Sequence, residues 1–312
     1  MSSSCTTAFF VVLFLGVQLA LGSSSGSTTD SENRGLASRI IGGSEAELTR
    51  FPYFTYFKGF NQDGSQSRCS GSLIARDVVL TTASCLSSGW SDLTYDVWVN
   101  STTIDLSTHE HYRVSNKTVA HPKFNSDTYP NDVGLLFLNS PVPARVPLVT
   151  MNRNRSIPVY SEPTTELTAI GLGAVYLNDT EGRVVIRPKV LMKVSINPVS
   201  QLSCKKTYTS RKVGVWNLCA GGSGDKGVCL GDNGAPLLMM KRSAKSDVQV
   251  GIAAGYGTYE CPKIVDMPDI FTRVSYYAKW IDAQICKYSK YKPSTTVCPP
   301  TRKLRAETTI AL

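Results

Sequence analysis

The stretch Leu80–Cys85 reads LTTASC, and it closes one of many short apolar segments that turn residues separate from one another. Other such segments are YDVWVN, DVGLLFLNS, APLLMM and VQVGIAAGYG, and glycine, proline, asparagine or aspartate lies between most of them. Few windows keep a helical period of apolar residues. Many short strands with frequent turns predict an all-β fold, either a sandwich or a barrel.

One segment near the C-terminus departs from this pattern. It reads VSYYAKWIDAQICKY and covers Val274–Tyr288. Its apolar residues Tyr277, Trp280, Ile281 and Ile285 lie at helical spacing, which places them on one face of a helix. We therefore expect a C-terminal amphipathic α-helix over about 274–288.

The N-terminus has the features of a secretory signal peptide. Ala8–Leu21 is apolar apart from Gln18, is too short to span a bilayer, and leads into the small-x-small sequence Ala20-Leu21-Gly22. We predict a signal peptide at 1–22. Residues 23–39 are polar and rich in turn residues, with no apolar period, which is typical of a flexible pro-segment.

Cysteines and glycosylation sequons also indicate a secreted protein. Of the nine cysteines, Cys5 leaves with the signal peptide, and the remaining eight can pair completely. No stretch after the signal peptide is long and apolar enough to cross a membrane. We predict an extracellular, disulfide-bonded glycoprotein with N-x-S/T acceptors at Asn100, Asn116, Asn154 and Asn178.

The composition is that of a globular protein, with 42% hydrophobic and 18% charged residues. The net charge is +9, and the tail 287–312 contributes six lysines and arginines against one glutamate, a net of +5. The basic character is therefore concentrated in the tail, which either binds an acidic glycan or is a solvated terminus. The sequence predicts no cofactor, no metal site and no nucleic-acid partner.

Five phrases come in the order of the landmarks of one enzyme family: RIIGG, LTTASC, NDVGLLFL, CLGDNGAPL and PDIFTRVSYYAKWI. Over roughly 39–286 the sequence resembles the chymotrypsin/trypsin-like serine proteases. The resemblance implies two six-stranded antiparallel β-barrels in a domain at 40–286, with the site in the cleft between them. The first barrel would cover about 40–150 and the second about 151–273, with the C-terminal helix packed on the barrels.

The resemblance also implies disulfides. The family's usual pairs correspond to Cys69–Cys85, Cys204–Cys219 and Cys229–Cys261. Cys286 and Cys298 remain outside that set, and a bridge between them would close a short loop on the tail. Sequence alone does not fix the pairing.

A serine protease needs a nucleophilic hydroxyl, an imidazole that moves its proton, and a carboxylate that orients the imidazole. The family landmark Ala-His-Cys reads Ala83-Ser84-Cys85 in this chain, and Asn233 occupies the nucleophile position of Gly-Asp-Ser-Gly-Gly-Pro. Of the three triad positions, only Asp132 matches. Without an imidazole to orient, Asp132 is expected to bond to Ser84 and to neighbouring backbone amides.

Three histidines are present, His109, His111 and His121, and all three are expected in exposed loops, away from the triad. In a serine protease, loss of the nucleophile or the base lowers the rate by a factor on the order of 10⁶. The sequence therefore predicts a chain that is not an enzyme, with no catalytic residue set intact.

The elements that order the active loop in the family are retained. A trypsin-like protease would cleave after Arg39, and the freed ammonium of Ile40 would pair with Asp232, so the chain is zymogen-like. The backbone N–H groups of Gly231 and Asn233 match the oxyanion hole.

The substrate-binding positions differ from those of trypsin-like enzymes. Gly227 stands where these enzymes have an aspartate at the base of the specificity pocket. Ala254, Gly255 and Tyr256 replace the Ser-Trp-Gly strand that binds substrate backbone. These changes indicate a reshaped groove.

The leading hypothesis is a secreted, non-catalytic serine-protease homologue that acts by binding another secreted protein, as an inhibitor, a decoy or a cofactor of a secreted enzyme. One alternative is an active serine-type endopeptidase that uses non-standard residues. Another is a glycan- or matrix-binding glycoprotein that uses the basic tail.

Overall fold

Among the residues that the computed structural model describes, strands are the main element and two α-helices occur. The signal peptide and pro-segment lie outside the residues that the structure describes, and so do Arg39, Ile40, Gly255, Tyr256 and Cys261. Neither α-helix in the described part of the chain has the length and apolar run that a membrane crossing requires. The described residues are 42–60, 66–86, 94–161, 164–174, 176–178, 184–209, 212–222, 226–254 and 267–299.

Six strands of the N-terminal half close into a barrel with the order β2-β3-β4-β7-β6-β5. In β5 the buried Tyr95, Val97 and Val99 alternate with more exposed residues, because successive side chains of a strand point to opposite faces. The buried set fills the barrel. The strands of this half are β1 (Ser44–Glu45), β2 (Phe54–Phe60), β3 (Gln66–Ala75), β4 (Val78–Thr81), β5 (Thr94–Val99), β6 (Glu110–Ala120) and β7 (Gly134–Leu138).

The C-terminal half forms a second curled antiparallel sheet in the order β1-β12-β9-β15-β16-β17-β14-β13, with β8 paired in parallel to β16. Strands β10 and β11 form a separate pair. The elements of this half are β8 (Thr150–Met151), β9 (Leu167–Gly171), β10 (Tyr176–Asn178), β11 (Val184–Ile186), β12 (Met192–Ile196), β13 (Pro198–Val199), α1 (Gln201–Thr207), β14 (Asn217–Ala220), β15 (Pro236–Met239), β16 (Val248–Ala253), β17 (Asp269–Arg273) and α2 (Val274–Tyr288).

This architecture confirms the prediction of two antiparallel β-barrels with a C-terminal helix. The second sheet differs in detail from a six-stranded barrel, because the two-residue strands β1, β8 and β13 add to its six longer strands. Helix α2 buries Tyr277, Ile281 and Ile285 against the common core, as its apolar spacing indicated.

Side chains join the two halves at several points. Arg50, just before β2, donates to both carboxylate oxygens of Asp247 beside β16, at 2.5 and 2.8 Å, and the buried Tyr53 hydroxyl donates to the same carboxylate at 2.6 Å. Nearer the middle, the Ser72 hydroxyl of β3 donates to Gln249 Oε1 of β16 at 2.6 Å. The two halves are therefore held as one body around the groove between them.

Candidate functional site

Ser84 and Asp132 meet because β4 and β7 are paired antiparallel, with Thr81 opposite Gly134. The end of β4 and the start of β7 therefore lie at the same edge of the barrel. Ser84 follows β4 by three residues and Asp132 precedes β7 by two. The pairing of these two strands therefore brings together two residues that are 48 positions apart in the sequence.

The side chain of Asp132 is buried and hydrogen-bonded to Ser84. Ser84 N donates to Asp132 Oδ1 at 2.7 Å, and the Ser84 hydroxyl donates to Asp132 Oδ2 at 3.0 Å. The Thr82 hydroxyl oxygen lies 3.1 Å from Ser84 Oγ. Thr272 of β17 donates to the backbone oxygen of Asp132 at 2.7 Å, which joins this point to the second barrel. The serine thus engages both oxygens of the carboxylate.

The second half of the site is the loop between Cys229 and Ala235, ahead of β15. Its centre is the carboxylate of Asp232, which is fully buried and accepts backbone N–H groups from Gly173 at 2.8 Å and Cys229 at 2.9 Å. Burial of a charge is costly unless such bonds satisfy it. Asp232 therefore fixes the path of the loop that carries Asn233.

The loop is also bound to strands of both barrels. The backbone oxygen of Asn233 accepts from Ser70 N at 2.8 Å, and Gly234 N donates to Ala253 O at 2.9 Å. Gly231 and Gly234 have φ of +100° and +84°, where a residue with a Cβ is strained. No described residue accepts a hydrogen bond from Gly231 N, so this predicted oxyanion-hole donor is open to a ligand.

A cleft of about 580 Å³ runs beside Asn233 and takes its walls from both barrels. Such a volume falls in the range of sites that hold small ligands or a few side chains. Its lining residues are Tyr56, Lys58, Gln66, Arg68, Ile104, Leu106, Leu172, Arg187, Leu230, Gly231 and Asn233.

The specificity-pocket positions are described only in part. Gly227 has φ +156°, at the edge of the range that favours glycine, and Ala254 is buried. Beside them lies a carboxylate that was not among the predicted site residues. Asp269 of β17 is 1% exposed and accepts the backbone N–H of Val228 at 3.0 Å. The sequence feature that could have indicated this carboxylate is the Pro268-Asp269 pair that opens the last landmark phrase, a phrase that was used only to infer the fold.

Comparison with known proteins agrees with this architecture. Residues 40–281 match the model of the protein family described as Trypsin. The chain belongs to the trypsin family. It is 30% identical over 259 residues to "Trypsin" of Phaedon cochleariae, covering 78% of this chain and 88% of that protein.

Two further relatives match this chain over a similar share of its length. "Trypsin-1" of Astacus astacus is 27% identical, over 78% of this chain and 99% of that protein. "Lectizyme" of Glossina austeni is 26% identical, over 81% of this chain and 89% of that protein. The match therefore spans the whole two-barrel domain.

This finding overturns one prediction. The sequence predicted a chain that is not an enzyme, and this prediction is wrong, because the family is enzymatic and relatives such as "Trypsin" and "Trypsin-1" are named as proteases. The physical reason is that the two altered side chains, Ser84 and Asn233, leave the other structural elements of the family's active site unchanged. The buried Asp232 and the glycine-containing loop of a trypsin-family enzyme are both in place.

The three histidines of this trypsin-family chain have partners of their own. His109 Nε2 accepts from Thr102 N at 3.1 Å, and His111 Nε2 lies 3.1 Å from Asp96. His111 lies in strand β6, so the expectation of a loop was wrong for it. The strand was not evident from the sequence, because polar residues occur at positions on both faces of β6 and interrupt the alternation of apolar residues.

His121 follows β6 and packs against the rings of Tyr277 and Trp280, with ring centroids 5.4 and 4.9 Å apart. Burial, and secondly the charge of Lys123, lowers the pKa of His121 below its usual value. The ring thus serves as packing for helix α2.

The disulfides Cys69–Cys85, Cys204–Cys219 and Cys286–Cys298 are present. Cys229 is also disulfide-bonded, and its predicted partner Cys261 lies outside the described residues. The first bridge ties β3 to the segment that carries Ser84. The last one folds the start of the tail back onto α2.

The sequons differ in exposure. Asn154 is exposed, and its Oδ1 accepts from Ser156 N at 2.9 Å in a surface turn. Asn100 has a buried Oδ1 and a φ of +59°. The side chains of Asn116 and Asn178 are outside the described set.

We expect the protein secreted from a eukaryotic host to carry a glycan at Asn154. Digestion with an amide-cleaving glycosidase should convert Asn154 to aspartate in the chymotryptic peptide that carries it, because trypsin would cut on both sides of this residue, and Asn154→Gln should remove one glycan from the intact mass. Asn100→Gln is the comparison, and we expect it to leave the glycan mass unchanged. A mass loss with Asn100→Gln and none with Asn154→Gln would contradict this assignment.

Proposed function

We propose that the chain is secreted and acts by binding another secreted protein at the groove between its barrels, as an inhibitor, a decoy or a cofactor of a secreted enzyme. The observation that carries the proposal is the bonding of Asp132. Both of its carboxylate oxygens accept from Ser84, through the backbone N–H and the hydroxyl. A carboxylate engaged in this way serves to hold the groove wall in one shape.

The position of Asn233 supports the same function. Its backbone is held by Ser70, and it lines the cleft, so it belongs to the wall that a docked chain would contact. The open N–H of Gly231 adds another donor at the same wall. Polar groups on a rigid frame are suited to recognition of a peptide segment.

Maturation by a trypsin-like protease is part of the proposal. Cleavage after Arg39 would free the ammonium of Ile40, which would enter the second barrel and pair with Asp232. The support is that Asp232 is a fully buried carboxylate at the root of the loop that presents Asn233. A new ion pair at that point would act on the binding surface directly.

The test uses the chain after cleavage at Arg39, immobilised and exposed to the extracellular fluid of its own source. Asn233→Tyr fills the cleft, and Asn139→Tyr places the same side chain on an exposed loop after β7. We expect a partner that binds saturably to the natural chain and to Asn139→Tyr, with Kd raised at least about tenfold by Asn233→Tyr. Equal Kd for all three proteins would refute a groove-binding function.

A second candidate is peptide hydrolysis, favoured by the names of the relatives and by the retained Gly231 donor. The assay is turnover of peptide esters after cleavage at Arg39, with the activating protease removed and inhibited. A rate that falls with Ser84→Ala or Asn233→Ala would support hydrolysis by these residues and count against the binding proposal. A rate that neither change affects would leave hydrolysis by these residues without support.

A further inference from the structure

The cleft beside Asn233 is lined by three cations. Lys58 on β2, Arg68 on β3 and Arg187 after β11 all line it, and its described lining residues include no carboxylate. The tail 287–312 carries +5 of the net charge of +9, which leaves +4 spread over the whole rest of the chain, so three cations at one cleft are a local concentration of charge. A groove with cations on both barrels attracts an anion.

The cations act on one another and on the groove floor. Burial, and then the charge of Arg68, lowers the pKa of Lys58 below its usual value. Burial raises the pKa of Tyr56, while Arg68 and Arg187 oppose that rise. Two guanidinium groups from different barrels therefore lie near enough to the same half-buried phenol to act on its pKa. An anionic ligand would relieve their repulsion.

Arg187 also lies next to the open backbone donor. A Cβ placed on Gly231 would be 3.9 Å from Arg187 Nε and 4.0 Å from Nη2, so the guanidinium borders the Gly231 peptide. A carboxylate at this point can accept from the guanidinium and from the Gly231 N–H together. Charge-assisted bonds of this kind are the strong ones.

Nearby acidic groups are already engaged elsewhere. Asp96 is 3.1 Å from His111 Nε2, and His111 stacks on Trp98 with ring centroids 5.0 Å apart. Lys58 Nζ lies 5.4 Å from the centre of the Trp98 ring. Asp96 raises the pKa of Lys58 less than burial and Arg68 lower it. The groove thus retains positive character.

Apolar side chains alternate with the cations along the walls, among them Ile104, Leu106, Leu172 and Leu230. Such a mixed lining suits a peptide whose side chains are both acidic and apolar, whereas a sulfated sugar offers few apolar groups. We propose that the cleft binds an acidic, partly apolar peptide segment of the secreted partner, an inference that rests on the proposed binding function. One carboxylate of that segment would bond to Arg187 and Gly231 N, with Lys58 and Arg68 facing others.

The test is direct binding of two labelled peptides to the chain cleaved after Arg39, one of alternating Glu and Leu and one of alternating Gln and Leu. The substitutions are Arg187→Gln and Arg68→Gln, with Arg242→Gln on an exposed loop as the matched control. We expect the acidic peptide to bind the natural chain and Arg242→Gln equally, to weaken about tenfold with each cleft variant, and to weaken with added salt.

Equal binding of the Gln peptide, or unchanged binding with Arg187→Gln, would overturn the acidic-peptide inference. A heparin oligosaccharide that depends on Arg187 while the acidic peptide does not would overturn it as well. The partner assay separates the two proposals. Loss of partner with Asn233→Tyr but not with Arg187→Gln leaves the groove function standing and refutes the acidic segment. Indifference of the partner to Asn233→Tyr refutes the groove function itself.

Discussion

Gly234→Ala should destabilise the folded chain by roughly 2–5 kcal/mol, the sum of a strained backbone and a steric clash. Gly234 has φ +84°, and a Cβ there would lie 2.0 Å from Ser70 O and 2.3 Å from Thr81 Oγ1. Both atoms belong to the first barrel, and Ser70 O is backbone, so neither can move away easily. The check is the free energy of unfolding from denaturant titration, with Asn233-dependent partner binding as a second readout.

Gly221→Ala is the matched control, because Gly221 has nearly the same φ, +83°, and a Cβ there would have no neighbour closer than 3.4 Å among the described residues. It should cost about 1–2 kcal/mol from backbone strain alone. The difference between the two variants measures how tightly the loop presses on the first barrel. Equal losses would show that the loop has room there and would contradict the fixed geometry on which the groove depends.

Asp232→Asn should cost about 3–5 kcal/mol, although the side chains have nearly the same shape. The carboxylate accepts from Gly173 N and Cys229 N, and an amide can present only one acceptor, so a donor would face a donor. In a chain of this size the loss corresponds to a fall in Tm on the order of 10 °C. Thermal unfolding followed by circular dichroism measures it directly.

Cleavage after Arg39 adds a second arm to this experiment. On the proposal that Ile40 pairs with Asp232, cleavage should raise the Tm of the natural chain and leave that of Asp232→Asn unchanged. Asp127→Asn, in an exposed loop, removes one negative charge without touching the loop and should behave as the natural chain does. An equal rise for Asp232→Asn would mean that maturation acts at another point.

The all-β class and the C-terminal helix could be predicted because their determinants are local and repeated, whereas the two-barrel architecture followed only from the resemblance carried by the five landmark phrases. Alternation in segments such as Thr94–Val99, turn residues between them, and helical spacing in Val274–Tyr288 are all visible in a window of a few residues. The hydrogen bonding of Ser84 to Asp132 could also be predicted, since both residues lie within landmark phrases. The neighbours of these two residues are fixed by the pairing of β4 with β7.

The charge of the groove could not be predicted in this way. Lys58, Arg68 and Arg187 come from three separate elements, and nothing in their local sequence says that they line one cleft. Asp269 was missed for a related reason, because a buried carboxylate beside a pocket looks in sequence like any strand-end aspartate. Side-chain direction across an interface depends on how the barrels dock, which is a property of the whole fold.

The ties between the barrels have a consequence for selectivity. Arg50 and Tyr53 hold Asp247, and Ser72 holds Gln249, so the two walls of the groove cannot separate without breaking buried bonds. If the groove binds a peptide segment as we propose, walls that cannot move apart would admit side chains up to a fixed width and exclude wider ones, whatever their charge. Peptide segments that differ in the width of one side chain would then differ in affinity.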